Sequence, residues 1–207
     1  MVLRPLLDLF FPAQCAGCNG LGSGLCDACA RGAERISARF PSLRVRAFGA
    51  YEGNLRAAVL ALKDGRRDVA EALGRRIAPL VTRNGVLVPI PTTLRRRRAR
   101  GLDGVALVAR HAAEIAGARV VLALEQRSGD AQRGRSRAER LAAHGRFACD
   151  PAAVAARRVT LFDDVCTTGS TLRDCADAVR EAGGGVEDAV VVAMTKSDSP
   201  WSLPIVS

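Results

Sequence analysis

Lysine is almost missing from this chain: of 31 basic side chains only Lys63 and Lys196 are lysine, and the rest are arginine. Aromatic side chains make up 4% of the 207 residues, with Tyr51 and Trp201 the single tyrosine and tryptophan. So few rings leave little surface for stacking bases, which counts against a protein built chiefly to grip single-stranded nucleic acid. Histidine occurs only as His111, within a helical pattern, and His144, within a polar stretch, so no dedicated general base stands out. No apolar run reaches the roughly 20 residues needed to span a bilayer. The opening Met1 to Phe11 is apolar, but Arg4 and Asp8 interrupt it. Leu3, Leu6, Leu7, Phe10 and Phe11 keep helical spacing, which predicts a docking helix rather than a signal peptide. The expectation is a cytoplasmic protein with no membrane span and no internal repeat.

What is present in excess is positive charge. A formal net charge of +10 favours anionic ligands, whether a polyphosphorylated sugar or a nucleic-acid backbone. Charge alone does not separate the two.

The most informative segment runs from Val159 to Leu172. Val159, Thr160, Leu161 and Phe162 are β-branched or apolar, as a buried parallel strand requires. Leu172, Ala176, Val179 and Ala182 then recur at helical spacing up to Gly183 and Gly184. Between them lie Asp163, Asp164 and a hydroxyl-rich turn. The first N–H groups of a helix have no intrahelical partner and can close around an anion. Thr167, Thr168, Ser170 and Thr171 add hydroxyl donors, and Gly169 permits close backbone approach. The turn carries no lysine, which excludes the nucleoside triphosphate P-loop and suits a compact phosphate monoester. Carboxylates repel phosphate, so Asp163 and Asp164 must address another part of the ligand: the vicinal hydroxyls of a ribose, or a divalent ion. Neighbours on a strand point to opposite sides, which predicts different tasks for the two acids. The bland alternative has Thr171 capping the helix with Asp174 three residues on, the acids merely pairing with arginine.

Four cysteines, Cys15, Cys18, Cys26 and Cys29, form paired CxxC knuckles separated by a short glycine-rich spacer. Four thiolates so spaced suit tetrahedral zinc in a closed, structural site. Disulfide chemistry is the rival, but Cys149, Cys166 and Cys175 outside the cluster argue against a disulfide framework in an intracellular chain. Cys175 and Cys149 read as packing residues. Cys166 sits within the phosphate turn, where a helix terminus can lower a thiol's pKa, yet no partner base is evident.

Strand character recurs at Arg44 to Tyr51, Val86 to Ile90, Val120 to Leu124, Val159 to Phe162 and Ala189 to Met194. Helical patterns over Asn54 to Leu62, Val69 to Val81 and Val105 to Ala116 separate most of them. Such alternation predicts a parallel sheet covered on both faces, with ligands at the carboxyl ends of the strands. The run Arg95 to Arg98 follows one of these strands and is placed on the same rim as the phosphate turn. The segment from Gly129 to Arg146 has no apolar periodicity and reads as a loop or hood. Three units follow: residues 1–43 with the helix and knuckle, 44–195 as the main domain, and 196–207 as a flexible tail.

The segment Phe162 to Thr171 is similar to the phosphoribosyl pyrophosphate signature of type I phosphoribosyltransferases. Together with the CxxC knuckles, the Tyr51-Glu52-Gly53 to Leu62-Lys63 block, Val88-Pro89-Ile90-Pro91, Arg100-Gly101 and Gln132, it resembles the ComF family, linked to natural competence and DNA uptake. The resemblance implies an α/β fold, a type I phosphoribosyltransferase-like parallel sheet preceded by a small zinc-binding knuckle. It implies a phosphoribosyltransferase that binds phosphoribosyl pyrophosphate with magnesium and passes phosphoribosyl to a nitrogen nucleophile. Asp163 and Asp164 would then be catalytic, holding ribose and metal-bound water. Cys166, Thr167, Thr168, Gly169, Ser170 and Thr171 would anchor the 5′-phosphate, and Thr92, Arg100 and Gly101 the pyrophosphate. Cys15, Cys18, Cys26 and Cys29 would hold zinc. The chain departs from the family at Leu102-Asp103-Gly104, where Phe-Asn-Gln is common, and after Arg140, where an asparagine is replaced. These positions bear on the second substrate. The alternatives are a competence-related accessory that handles single-stranded DNA and uses the pocket only to sense a ligand, and a catalytically silent regulatory domain.

Overall fold

Two cores share one sheet, because successive strand residues turn to opposite faces. In the computed structural model, which describes residues 12–40, 42–91, 103–127 and 145–195, Leu87, Phe162, Val190 and Val192 face one core. Val88, Leu161, Ala189 and Val191 face the other. The Met1 to Phe11 helix, Thr92, Arg95 to Arg98, Arg100, Gly101, Gln132 and the tail from Lys196 lie outside the described residues.

In chain order the elements are α1 (Asp27–Arg31), β1 (Ile36–Phe40), β2 (Leu43–Ala50), α2 (Gly53–Lys63), α3 (Arg67–Ile77) and β3 (Val86–Pro89). They continue as α4 (Gly104–Ala116), β4 (Arg119–Val120), β5 (Leu124–Gln126), β6 (Phe147–Cys149), α5 (Pro151–Val154), β7 (Arg158–Cys166), α6 (Ser170–Glu181) and β8 (Gly185–Met194). A six-stranded sheet has the order β1-β2-β8-β7-β3-β4. All its neighbours are parallel except the hairpin β1–β2. Strands β5 and β6 form a separate antiparallel pair. The expected sheet with helices on both faces is therefore present: α2, α3 and α4 bury their apolar stripes in the first core and α6 in the second.

The apolar stripes explain this placement. Helix α3 sends Val69, Leu73 and Ile77 inward, one per turn, while Arg75 and Arg76 stay outside its apolar stripe near its carboxyl end, where cations are favoured. Helix α4 opens on Asp103, whose carboxylate accepts the Ala106 N–H at 3.1 Å, and closes on Gly117 at φ 68°. The two helices cross closely at Gly74, where a Cβ would fall 2.4 Å from that of His111. His111 is thus a packing neighbour of α3.

Three details differ from the sequence-based expectation. Strand β7 does not stop at Phe162 but continues through Asp163 and Asp164 to Cys166, because the ten-residue β8 offers it a partner along that whole length. The stretch Val120 to Leu124 is not one strand: Val120 pairs in the main sheet through Leu87, while Leu124 joins the side pair opposite Cys149. Strand β1, within residues 1–43, belongs to the main sheet.

Strand order places the site. From β3 the chain crosses through α4 to β4, outward on one side; from β7 it crosses through α6 to β8, on the other. The direction reverses between β3 and β7, and in open α/β sheets ligands lie at the carboxyl end of such a reversal. Both loops singled out in the sequence leave the sheet there.

Candidate functional site

Pairing between β3 and β7 ends at Pro89 opposite Phe162, with one further bond from the Ile90 N–H to the Phe162 carbonyl at 2.8 Å. Beyond that point β7 pairs only with β8 among the described residues, so Asp163 to Cys166 have no partner strand on the β3 side. The two acids are therefore fixed on a strand rather than carried by the turn.

They have different surroundings. Asp164 lies 3.2 Å from the Lys63 Nζ at the end of α2, its side chain only 18% exposed. Asp163 accepts the Asp164 N–H on its Oδ1 at 2.8 Å. Burial pushes the Asp163 carboxyl up to about 8, and the neighbouring Asp164 carboxylate adds to the effect against the opposing pull of Lys63. The two acids thus do not behave as equivalent anions.

The turn that follows is built around Gly169, at φ 72° and buried against Phe40, where a Cβ would sit 2.7 Å from the ring. No other residue type fits that conformation and that space together. Gly169, not Thr171, occupies the N-cap of α6, and Asp174 pairs instead with Arg146 at 2.6 Å. The capping alternative is therefore not what the chain adopts. Thr167 and Thr168 are exposed, and Ser170 and Thr171 are half-buried. The Thr168 hydroxyl meets that of Ser170 at 3.2 Å. The Ser170 N–H also donates to the Thr168 hydroxyl at 3.4 Å, so hydroxyl and N–H groups are gathered in one turn at the start of α6.

Cys166 differs from its neighbours. Its side chain is 2% exposed in the second core with Leu172 and Met194. Burial and the Asp163 carboxylate push the thiol up to about 11, so it is no low-pKa nucleophile. Cys175 is buried in the same core and also raised by burial.

The second cluster is the knuckle. The sulfurs of Cys15, Cys18, Cys26 and Cys29 all lie within 4.8 Å of one another, and those of Cys18 and Cys26 are 3.7 Å apart. A tetrahedral ion with metal–sulfur bonds of about 2.3 Å places its sulfurs roughly 3.8 Å apart, so this group could hold zinc. Burial works against ionising Cys15. The N–H groups of Cys26, Cys18 and Gly17 outweigh it and bring the thiol down to about 6. Burial and neighbouring thiols push Cys29 up to about 12. The knuckle is not an isolated appendage. Cys15 and Leu25 are buried in the first core with Leu55 and Val69. Arg66 donates to the Gln14 carbonyl and Arg76 pairs with Asp27.

No family model matches this chain. Over 39 residues, 19% of this chain and 21% of the relative, it is 54% identical to an orotate phosphoribosyltransferase of Methanopyrus kandleri (strain AV19). Over 44 residues, 21% of this chain and 24% of the relative, it is 54% identical to an orotate phosphoribosyltransferase of a Nocardioides strain, JS614. The chain spans less than a quarter of the length of the curated relatives it matches. Among solved structures, glutamine phosphoribosylpyrophosphate amidotransferase from B. subtilis aligns with a TM-score of 0.46 at 22% identity, over 59% of this chain and 26% of that one. A phosphoribosyltransferase from Corynebacterium diphtheriae aligns with a TM-score of 0.39 at 20% identity, over 78% of each chain.

Of the residues singled out in the sequence, Asp163 and Asp164 stand near the end of β7, Cys166 to Thr171 lead from it into α6, and the four knuckle cysteines form one cluster. Thr92, Arg100 and Gly101 lie outside the described residues, but their flanks, Pro91 and Asp103, are described. Lys63 was not singled out for chemistry. Its rarity in an arginine-rich chain was the available signal. Among the described residues no helix is long and apolar enough to cross a membrane.

Proposed function

We propose that this chain is a phosphoribosyltransferase of the ComF type, which binds phosphoribosyl pyrophosphate with magnesium and transfers phosphoribosyl to a nitrogen nucleophile. The observation that carries the reading is the reversal between β3 and β7, with two strand-borne acids and a hydroxyl-rich helix start on one side of the crevice. The local similarity to orotate phosphoribosyltransferases is consistent with it.

In this account Thr167, Thr168, Ser170 and Thr171, with the N–H groups of the first turn of α6, bind the 5′-phosphate. Gly169 brings that backbone close, and Cys166 contributes only through its main chain. Asp163 and Asp164 accept the ribose hydroxyls, and the negative charge of Asp164 stabilises the positive charge that develops on the sugar ring as the C1–oxygen bond breaks. Thr92, Arg100 and Gly101 receive the departing pyrophosphate. Magnesium, when bound with the substrate, supplies charge neutralisation at the pyrophosphate, and carboxylates beside substrate phosphates are the usual surroundings for that ion. Zinc in the four-cysteine site is structural, because a closed thiolate set leaves no coordination position for a substrate.

Calorimetric titration of the zinc-loaded chain with magnesium and phosphoribosyl pyrophosphate tests the binding half, with saturable one-site binding expected. Absence of binding, together with salt-sensitive binding of single-stranded DNA, would favour the accessory reading that the charge of +10 also supports.

A further inference from the structure

Lys63 ends α2, 3.2 Å from the Asp164 carboxylate at the end of β7, and is the sole lysine among the described residues. Its side chain is 31% exposed and that of Asp164 18%, so the pair is sheltered at the crevice rather than displayed on the surface. The next element over is the start of α4. A Cβ on Gly104 would fall 3.1 Å from the Leu62 side chain, so the end of α2 packs against the start of α4. Asp103, Asp163 and Asp164 all bear on this spot: the charges of Asp103 and Asp164 disfavour ionisation of Asp163, and that of Lys63 favours it.

An ion pair this sheltered has a consequence if one member is removed. The partner is left partly desolvated without its counter-charge, and the adjacent acids lose the cation that offsets their mutual repulsion. An ammonium is a compact point charge, whereas a guanidinium is a broad planar fork. Among the described residues this is the one basic position held by lysine rather than arginine.

We propose that Lys63 is a positioning residue: it fixes the Asp164 carboxylate in the orientation that accepts a ribose hydroxyl, and so gives the crevice its preference for a sugar bearing a vicinal diol. The inference rests on the phosphorylated-ribose reading of the site and adds to it the residue that sets the sugar preference. Lys63 itself need not touch the sugar.

The test compares ribose 5-phosphate with 2-deoxyribose 5-phosphate by calorimetry on the zinc-loaded chain. The wild-type chain is expected to prefer the ribose form by about tenfold or more, the size of one well-made hydrogen bond to a charged acceptor. Lys63→Met should reduce that preference to within about twofold while the zinc content and circular dichroism are unchanged, and Lys63→Arg should restore part of it. Asp164→Asn should remove the same preference, and adding Lys63→Met to it should change nothing further, because both act through one contact. A Lys63→Met chain that binds both sugars more weakly but keeps their ratio would overturn the inference and leave the site assignment standing. A wild-type chain that binds neither sugar would overturn the site assignment and, with it, the inference.

Discussion

The carboxylate of Asp163 accepts the backbone N–H of its own neighbour, Asp164, at 2.8 Å, so two consecutive acids on one strand have unlike surroundings. One is turned back on the chain, and the other reaches Lys63. This arrangement has a measurable signature in pH.

Burial raises the Asp163 carboxyl to about 8, above the ordinary value near 4 that it regains on unfolding. Between these values the folded chain holds a proton that the unfolded chain has released. Stability therefore falls as pH rises from about 4 to about 8, and this contribution levels off above it. Asp163→Asn has no proton to lose. Its melting temperature should exceed that of the wild-type chain at pH 8 by roughly 3 °C or more relative to the difference at pH 5. Parallel pH profiles for the two proteins would show that Asp163 is not raised.

At Gly169 two costs coincide. A side chain there must adopt a left-handed backbone at about 1–2 kcal/mol, and its Cβ meets the Phe40 ring at 2.7 Å. Gly169→Ala should destabilise by roughly 2–3 kcal/mol in denaturant titrations and weaken binding of the phosphorylated sugar. Phe40→Ala in the same chain should recover only the steric part. Equal melting of Gly169→Ala and the wild type would contradict the geometry of the turn.

The knuckle shares a core with α2 and α3, so its metal should matter beyond its own residues. The expected content is about one zinc per chain, lost in Cys26→Ser. Removal by a chelator should lower the melting temperature of the whole domain rather than produce a separate early transition. Gly24→Ala offers a second handle: its Cβ would fall 2.4 Å from the Asp68 backbone, lifting the knuckle off α3. That variant should keep zinc and still lose about 1–3 kcal/mol of stability. Zinc loss without any change in domain melting would show that the knuckle is independent.

Close packing of α3 on α4 at Gly74 gives a test away from the site. Gly74→Ala should cost about 1–3 kcal/mol through collision with His111, even though alanine is the better helix former. A stabilised variant would mean that the helices separate readily.

Much of this was legible in the sequence because the signals were local. The helical stripe Leu172, Ala176, Val179 is visible in the chain itself, as is the four-cysteine spacing. The extent of β7 was not, because Asp163, Asp164 and Cys166 have little strand character of their own and are held by pairing with β8. The split at Val120 to Leu124 depends on which partner each end finds, which no local pattern records. Lys63 was hidden for the same reason. It is 101 positions from Asp164, and only the packing of α2 beside the end of β7 unites them.

The most direct measurement is pyrophosphate release from phosphoribosyl pyrophosphate and magnesium, screened across nucleobases and small amines with the zinc-loaded chain. The account predicts release with at least one nitrogen nucleophile, abolished in Asp163→Ala and in Asp164→Ala chains that keep their fold. Undiminished release in both variants would contradict it.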